Sequence, residues 1–367
     1  MVELSATVHS PEKITSKADR FLSLDVARGL AVLGMIYVHL VPTEGALTII
    51  ERAGAGVGHL IEGKTAALFC LLAGMTQALR ERRACHSALL FRSTARRSAT
   101  LLAVGVLFHW LVWPTEILIP MAVMIFVTAI ISRLGTRALI TAIISLVAVT
   151  PILLGHFSER FVSDWTTRDT HVGESALGWA TCRYLLVNGN YPLLPWLVFP
   201  LVGALWTTVD WRQANQARRW FWYGLMTCIA FQILTRWAGA HKNGLGHFGP
   251  WLISTWTPTS LPFLFLTGSA AITTVAGLSW CESSIGFSQK VTALTLLGRA
   301  SLSHYVLHIC LVIVPLRWVF PAEDWSFAIG FSAMLIYVSV ALLLSSIWFR
   351  HNSRGPLEKM WSLISGG

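Results

Sequence analysis

Charged residues are scarce in this chain. They make up 13% of its 367 residues, about half of the roughly 25% that a soluble globular protein carries. Apolar residues reach 54%, and the mean hydropathy is +0.60. The length would suffice for two soluble domains, but the charged surface that such domains need in water is missing. The composition therefore predicts an integral membrane protein without a sizeable soluble domain.

Several other features are absent as well. The six cysteines form no C-x-x-C pair and no Cys/His ligand spacing, so neither a disulfide framework nor a zinc site is expected. The first twenty residues are polar and lack a cleavable signal pattern, so the first apolar helix is expected to be retained. The net charge of +10 comes from short Lys/Arg clusters between apolar stretches, which argues against nucleic-acid binding. The cysteines are Cys70, Cys85, Cys182, Cys228, Cys281 and Cys310.

Ten apolar stretches have the length of a membrane span, which takes about 17–25 residues. The third and fourth are separated by Trp113-Pro114-Thr115 and form either a tight hairpin or one broken helix. The predicted fold class is an all-α integral membrane protein, a polytopic bundle of about ten transmembrane helices. The stretches lie near 21–42, 57–79, 98–114, 117–133, 137–155, 191–209, 218–237, 258–279, 292–316 and 326–349.

The basic residues predict the orientation, because cytoplasmic segments carry an excess of Lys and Arg. With ten spans, every short basic cluster falls on one side, so both termini are expected in the cytoplasm. The predicted organisation is a polar tail at 1–20, a membrane domain at 21–349 and a second tail at 350–367. The longest outer segment, about 156–190, is expected to be a cap or an interfacial helix.

Two further segments have simple interpretations. The Gly-rich AGAGVG at 53–58 lacks the G-x-x-x-x-G-K-[ST] phosphate-loop pattern and is interpreted as a flexible entry to the second span. The basic stretch at 80–97 is interpreted as a solvated cytoplasmic loop. The same stretch could also meet anionic lipid headgroups or the phosphates of a nucleotide-bearing donor, and its spacing does not separate these alternatives.

Ionisable side chains within the spans are the most informative residues, since each costs about 2.5–3.5 kcal/mol on insertion scales and marks a functional-site hypothesis. Asp25 and Arg28 are three residues apart in the first span, so they share a helical face and can pair. His39 follows Arg28 by eleven residues, which places it ~16 Å farther along nearly the same face.

Four other spans carry polar groups at a similar depth. Each group alone is typical of an interfacial residue, but together they predict a polar site that faces the outer half of the bundle. A histidine can accept and return a proton near neutrality, and a carboxylate such as Glu116 or Asp25 could orient its ring. The groups are His109 in the third span, Glu116 at the start of the fourth, His304 and His308 in the ninth, and His59, Glu62 and Lys64 at the start of the second.

The spacing of His304 and His308 is also compatible with a metal site. The chain contains no H-E-x-x-H pattern and no acidic cluster near these residues, so no metal is expected.

The segment SLDVARGLAVLGMIYVH resembles the opening helix of the transmembrane acyltransferases, the superfamily of lysosomal heparan-alpha-glucosaminide N-acetyltransferase and its bacterial relatives. It also resembles the acyltransferase-three type O-acetylases of bacterial cell-surface sugars. In those enzymes an Arg and a His at this separation are functional, which implies roles for Arg28 and His39. Asp25 matches the Asp of their R-S-x-D-x-x-R-G motif.

Later segments agree with this resemblance in the expected order. EGKTAALFCLLAGM is similar to the second helix of a bacterial branch and places Lys64 at its Lys. GVLFHWLVWPTEIL is similar to a G-x-x-H…D-I-L segment, with His109 at the His and Glu116 where that pattern has Asp. LGRASLSHYVLH resembles the late L-G-x-x-S-x-x-x-Y-x-x-H helix, and its matching residues are Ser301, Tyr305 and His308. NYPLLPWLVFPLVGALW, WTPTSLPFLFLTGSA and GPLEKMW also resemble segments of that branch.

The resemblance implies transfer of an acyl group, with acetyl expected, from cytoplasmic acyl-CoA to a hydroxyl or amine across the membrane. It implies catalytic roles for His39, His308, Glu116 and His109. It also implies substrate or donor binding by Asp25, Arg28, Lys64, Ser301 and Tyr305. The donor would be acetyl-CoA or another acyl-CoA, and no metal is implied. The expected partners are the lipid bilayer and a small-molecule or glycan acceptor in a bacterial inner membrane, with homo-oligomerisation left open.

Two rival functions remain compatible with the residues. Intramembrane histidines and carboxylates also serve proton relays, so a proton-coupled transporter or flippase is the main alternative. A transporter would move its substrate without covalent change, whereas an acyltransferase consumes acyl-CoA stoichiometrically. The third reading is a scaffold subunit with a degenerate site, which the presence of Arg28, His39 and His308 disfavours.

Overall fold

A computed structural model describes nine ranges of the chain, and the regular elements within them are all helical. The ranges are 21–45, 48–83, 88–112, 116–164, 184–241, 249–256, 259–286, 292–320 and 324–364. The predicted polar tail at 1–20 and most of the predicted outer segment lie outside them.

The described helices follow one another along the chain. We number them α1 (Leu22–Leu40), α2 (Ile49–Ile61), α3 (Lys64–Arg83), α4 (Ala88–Leu111), α5 (Leu118–Arg133), α6 (Thr136–Asp164), α7 (Leu193–Trp196), α8 (Val198–Trp206), α9 (Ala214–Ala240), α10 (Gly249–Leu252), α11 (Leu261–Ile285), α12 (Thr292–Arg299), α13 (Ser301–His308), α14 (Val314–Val319), α15 (Phe327–Trp348) and α16 (Pro356–Ile364). Two π-helical turns lie at Tyr184–Asn188 and Ile309–Ile313.

Six helical stretches among the described residues are long and apolar enough to cross a membrane. Two shorter apolar helices, Leu118–Arg133 and Leu193–Trp206, accompany them. The protein is therefore a multi-pass helical membrane protein. The six stretches are Leu22–Leu40, Ile49–Arg83, Thr136–Leu153, Leu261–Ile285, Ser301–Val319 and Phe327–Trp348.

Helix α1 lies at the centre of the bundle, where it contacts α3, α11, α12, α13 and α15. Its first turn is capped from another helix, because the backbone N–H groups of Leu22 and Ser23 donate to the Glu282 carboxylate at 3.1 Å each. Neighbouring α3 runs antiparallel to α1, as Thr76 contacts Arg28 near the start of α1 and Thr65 packs on Gly34 near its end. We call the Arg28 end of the bundle the basic end and the His39 end the histidine end.

Close helix crossings fix α1 against α12. The backbones approach so closely that a Cβ atom at Gly298 would overlap the carbonyl oxygen of Asp25. A second crossing of this kind joins α3 to α8, where a Cβ at Gly74 would overlap the carbonyl oxygen of Pro200. Small residues at such positions allow membrane helices to pack without a hydrophobic driving force between them.

The Gly298→Ala substitution is expected to lower the free energy of unfolding by about 1–3 kcal/mol, since the added methyl must push two backbones apart. Gly56→Ala is the matched control. Nothing lies within 4 Å of a Cβ at Gly56, so this change should stabilise its helix by about 0.5–1 kcal/mol. Thermal unfolding in detergent measures both variants. Equal unfolding temperatures for the two would contradict the assigned crossing.

Several sequence predictions of local structure need correction. The Gly-rich segment 53–58 is not a flexible entry, because it lies inside α2, which begins at a capping box formed by Thr48 and Glu51. The second predicted span, 57–79, is broken at Glu62-Gly63, where Gly63 has a φ of 70°, and α3 continues to Arg83.

The ninth predicted span, 292–316, is not one helix. It is interrupted at Ala300 between α12 and α13, and again by the π-helical turn at Ile309–Ile313. The third and fourth spans form a hairpin of two helices, α4 and α5, that contact each other. The Trp113-Pro114-Thr115 segment that joins them lies outside the described residues.

Candidate active site

Two histidines meet at the histidine end of the bundle. His39 lies in the last turn of α1, and His308 is the last residue of α13 and is fully buried. His39 Nδ1 and His308 Nε2 are 3.0 Å apart, and the planes of the two rings differ by 8°. The two histidines are 269 residues apart in the chain. Their common depth in two spans predicts this contact.

The hydrogen bonds of the pair determine which nitrogens carry protons. His308 Nδ1 lies 2.9 Å from the carbonyl oxygen of His304, and a carbonyl only accepts, so this nitrogen is the donor. In the neutral ring, His308 Nε2 then holds the lone pair, and His39 Nδ1 donates to it. The same reasoning puts the lone pair of neutral His39 on Nε2, which is the atom that can accept a proton or attack an acyl group.

A second histidine on α13 is held differently. His304 Nδ1 lies 3.3 Å from the hydroxyl of Tyr337, and Nε2 lies 3.1 Å from the hydroxyl of Ser345. The Tyr337 hydroxyl donates to the His304 carbonyl at 3.2 Å. Both ring nitrogens of His304 are thus engaged by α15. This side chain anchors the helix that carries His308.

The helix changes its winding directly after His308. Residues Ile309–Ile313 form a π-helical turn before α14 begins at Val314. Single π turns inside α-helices occur frequently at functional sites. Here the turn follows the buried imidazole and alters the direction in which the next helix presents its residues.

Glu116 and Tyr305 lie next to each other in this part of the bundle. The buried Glu116 carboxylate accepts hydrogen bonds from the backbone N–H groups of Leu118 and Ile119, the latter at 3.1–3.2 Å, and so caps α5. Tyr305 accepts from the N–H of Ile117 at 3.3 Å, and its ring centroid lies 5.9 Å from that of His308. Tyr305 therefore packs on the histidine pair, while Glu116 holds the end of a helix beside it.

The remaining residues of the predicted site separate into two places. His109 lies in the last turn of α4, with a ring contact to Trp110, next to Phe108, whose ring lies 6.2 Å from that of Tyr305. Lys64 begins α3 and lines a different cavity together with His59 and Glu62. The lining of that cavity includes neither His39 nor His308.

The basic end contains a cavity of about 160 Å³. Arg28 reaches it from α1, where its guanidinium is fixed by Asp25 at 2.8 Å and by the hydroxyl of Thr76 at 2.6 Å. Arg80 and Arg97 also line this cavity, so three guanidinium groups surround one space. Ser301, Glu358 and Trp361 contribute to its walls as well.

Arg97 is held in an unusual environment within this cavity. Its guanidinium stacks on Trp361 with Cζ 4.6 Å from the ring centroid, and the Trp361 indole N–H donates to the Arg97 carbonyl at 2.8 Å. Arg97 Nε is buried and has no hydrogen-bond partner in the described part of the chain. A buried donor without an acceptor costs about 1–3 kcal/mol, a cost that a bound anion would relieve.

Sequence reasoning did not assign a role to Glu358. This residue of α16 accepts hydrogen bonds from the N–H groups of Leu302 and Ser303 at 2.6 and 3.2 Å, and from the Ser303 hydroxyl at 2.6 Å. It thereby caps α13, the helix that carries His308. Glu358 lies in the GPLEKMW segment, whose resemblance to the bacterial branch marked this part of the chain. The resemblance did not indicate that Glu358 contacts the start of α13.

No group of three or more His, Cys, Asp or Glu side chains that could hold a metal ion occurs in the ranges that the structure covers.

The fold and the site together define a multi-pass helical membrane protein with a histidine pair at one end and an arginine-lined cavity at the other. Residues 20–242 match the family described as heparan-alpha-glucosaminide N-acetyltransferase, catalytic. The chain belongs to this family, and the resemblance inferred from its motifs is confirmed. Residues 204–366 also match a family described as a protein of unknown function. No curated protein and no solved structure matches the chain.

Proposed function

We propose that this protein is a membrane-embedded acyltransferase that moves an acyl group, in the simplest case acetyl, from acyl-CoA to a hydroxyl or amine of a sugar, lipid-linked or secondary-metabolite acceptor. The observation that carries the proposal is the histidine pair, whose hydrogen bonds leave the lone pair on His39 Nε2. The family match supports an acetyltransferase. The identity of the donor, the identity of the acceptor and the role of His39 go beyond the family match and are proposed here.

The proposed topology has ten spans with both termini in the cytoplasm of a bacterial inner membrane. The basic end then faces the cytoplasm, where acyl-CoA is available, and the histidine end faces the acceptor. His39 and Arg28 are separated by ~16 Å along α1. The extended pantetheine arm of CoA is suited to bridge such a separation, with the phosphates held at the basic end.

In the proposed reaction, His39 Nε2 removes the proton from the acceptor hydroxyl or amine as that oxygen or nitrogen attacks the thioester carbonyl. The carbon–sulfur bond breaks, and the CoA thiolate leaves and takes up the proton that His39 received. His308 keeps the His39 ring oriented throughout, because His39 Nδ1 donates to it before and after protonation. Alternatively, His39 Nε2 attacks the thioester first, the carbon–sulfur bond breaks and the CoA thiolate leaves. The acceptor then attacks the acyl-imidazole, the acyl–nitrogen bond breaks, and the acceptor's proton passes by way of the freed His39 Nε2 to the thiolate.

The proposed donor site predicts a defined kinetic defect. Arg97→Gln is expected to raise KM for acetyl-CoA about 10-fold or more with a smaller effect on kcat, because a charged hydrogen bond contributes about 1.5–3 kcal/mol. Arg96→Gln is the matched control, since Arg96 is the preceding residue of α4 and is exposed. The rate of CoA thiol release at varied acetyl-CoA concentrations measures both. An unchanged KM in the Arg97 variant would remove the cavity from the donor site.

Thiol release also separates this proposal from transport. An acyltransferase releases one CoA thiol for each acceptor molecule acylated, whereas a transporter or flippase moves its substrate with no covalent change. Stoichiometric thiol release that depends on an added acceptor supports the proposal. Movement of a labelled solute across proteoliposomes without thiol release would contradict it.

A further inference from the structure

A second cavity lies at the histidine end of the bundle, outside the histidine pair. It encloses about 390 Å³ between the start of α3, the last turns of α9 and the start of α11. This volume is in the range of small-molecule sites, about 300–1,000 Å³. Its lining is polar for a membrane protein, with Lys64, Gln232 and Arg236 among the side chains.

The hydrogen-bond donors in this cavity favour an anion. Lys64 is partly buried and Arg236 is exposed at the rim, and neither forms a hydrogen bond or an ion pair within the described chain. The Glu62 carboxylate lies 3.8 Å from His59 Nδ1. The hydroxyls of Thr235 and Thr267 already donate to backbone carbonyls at 3.2 and 2.7 Å. The donors in the lining that make no hydrogen bond within the described chain are therefore two cations, the Gln232 amide, the Ser254 hydroxyl and the His59 ring.

One wall of the cavity is a rigid aromatic surface. Trp256 lines the space, and its indole N–H donates to the carbonyl of Asn190. Its ring centroid lies 5.6 Å from Tyr191 and 6.5 Å from the buried Trp196. Trp196 is held in turn by the hydroxyl of Thr259 at 3.0 Å. A fixed indole beside hydrogen-bond donors suits the apolar face of a sugar ring, whose hydroxyls and charged group point outward.

The cavity is close to the histidine pair along the bundle axis. Lys64 precedes Thr65, which packs on Gly34 of α1. His39 is five residues beyond Gly34, ~8 Å along the helix axis. A ligand anchored at Lys64 would thus lie within about 8 Å of the proposed base along this axis.

We propose that this cavity binds the carboxylate or phosphate of a hydroxylated acceptor, such as a sugar acid or a sugar phosphate, with Lys64 and Arg236 as the anion ligands and Trp256 as the ring platform. The inference rests on the proposed function because it names the class of acceptor. The anionic group can belong to a soluble sugar or to a lipid headgroup, since both present the same chemistry.

Equilibrium binding to the purified full-length protein in phosphatidylcholine nanodiscs tests the site without acyl donor. Glucuronate and glucose 6-phosphate are expected to bind at least 10-fold more tightly than glucose. Lys64→Gln and Arg236→Gln should each weaken the anionic probes at least 10-fold and leave glucose unchanged, whereas Lys64→Arg should retain binding. Arg52→Gln is the control, because Arg52 is an exposed cation of α2 that does not line the cavity.

A second binding experiment distinguishes a soluble sugar from a lipid headgroup as the source of the anionic group. In nanodiscs that contain phosphatidylglycerol, loss of glucose 6-phosphate binding identifies a lipid headgroup as occupant, and retained binding identifies a soluble one. Either result supports the anion site. Equal affinity for glucose and glucose 6-phosphate, or wild-type binding in both Gln variants, would overturn it.

The two proposals can fail separately. Acceptor-dependent thiol release with no preference for anions would refute the acceptor class alone. Selective anion binding in a protein that never releases CoA thiol would refute the acyltransferase and leave the anion site in place.

Discussion

Replacing His39 with alanine is expected to lower the rate of acyl transfer by about two to four orders of magnitude, the usual contribution of a positioned general base. His39 Nε2 holds the lone pair of its ring, because His39 Nδ1 donates a hydrogen bond to His308 Nε2 at 3.0 Å and His308 Nδ1 donates to the His304 carbonyl at 2.9 Å. The acylation rate in isolated membranes, at saturating acetyl-CoA, measures the effect.

Two other histidines provide comparison variants for this prediction. His308→Ala should also reduce the rate, since His39 then loses the acceptor that fixes its orientation. His241→Gln should leave the rate unchanged, because this exposed ring bonds only to the Trp237 carbonyl of its own helix, at 2.9 Å, in the described part of the chain. An active His39→Ala protein would mean that the pair is structural and that another group supplies the base.

Replacing Glu358 with alanine is expected to lower the free energy of unfolding by about 2–4 kcal/mol, since two backbone N–H groups and a hydroxyl lose their acceptor. These donors form the first turn of α13, and disorder there would reach His308 at the far end of the same eight-residue helix. The variant should therefore lose activity along with stability. Thermal unfolding and acyl transfer, measured on the same preparation, test both effects.

The uncharged variant Glu358→Gln separates the hydrogen bonds from the charge. Burial raises the pKa of Glu358 above its ordinary value, so the site already disfavours the charge, and an amide oxygen that still accepts should be tolerated better than a methyl. By linkage, the wild type loses stability as the pH rises from the ordinary glutamate pKa through the raised one, and Glu358→Gln does not. Lys359→Ala, an exposed neighbour, is the control. Equal losses in the Gln and Ala variants would contradict the capping role.

The membrane class and the positions of the helices could be predicted because lipid selects long apolar stretches. The predicted span 326–349 corresponds to Phe327–Trp348, and 117–133 corresponds to Leu118–Arg133. The breaks were not predictable from hydropathy. The interruption at Ala300 lies where α12 crosses α1 at Gly298 and α16 caps α13, and both contacts come from distant parts of the chain.

The spacing of residues along a helix gives the depth of each side chain in its span. Because His39 and His308 lie at a similar depth, the sequence predicts that they meet. Depth does not specify how each helix is rotated or which helices are neighbours. For this reason Lys64 and His59, expected at the same polar site, line a separate cavity. Glu116 was likewise expected at the polar site, but its carboxylate accepts hydrogen bonds from the N–H groups of Leu118 and Ile119, a local cap at the start of α5.

The residues of the arginine cavity could likewise be identified from the sequence only in part. Arg28 was identified from the pair it forms with Asp25, a local three-residue relation. Arg80 and Arg97 belong to a basic stretch that is typical of any cytoplasmic loop. Their convergence on one space depends on the packing of α3, α4 and α16 around it.

The most direct test of the central claim is to incubate membranes that contain the protein with acetyl-CoA labelled in the acetyl group and to identify every labelled product. The account predicts a labelled acceptor in the wild type and loss of that label in His39→Ala, with label on the protein itself if His39 carries the acyl group. Label that reaches the acceptor equally well in both proteins, or acceptor that crosses the membrane unlabelled, would contradict it.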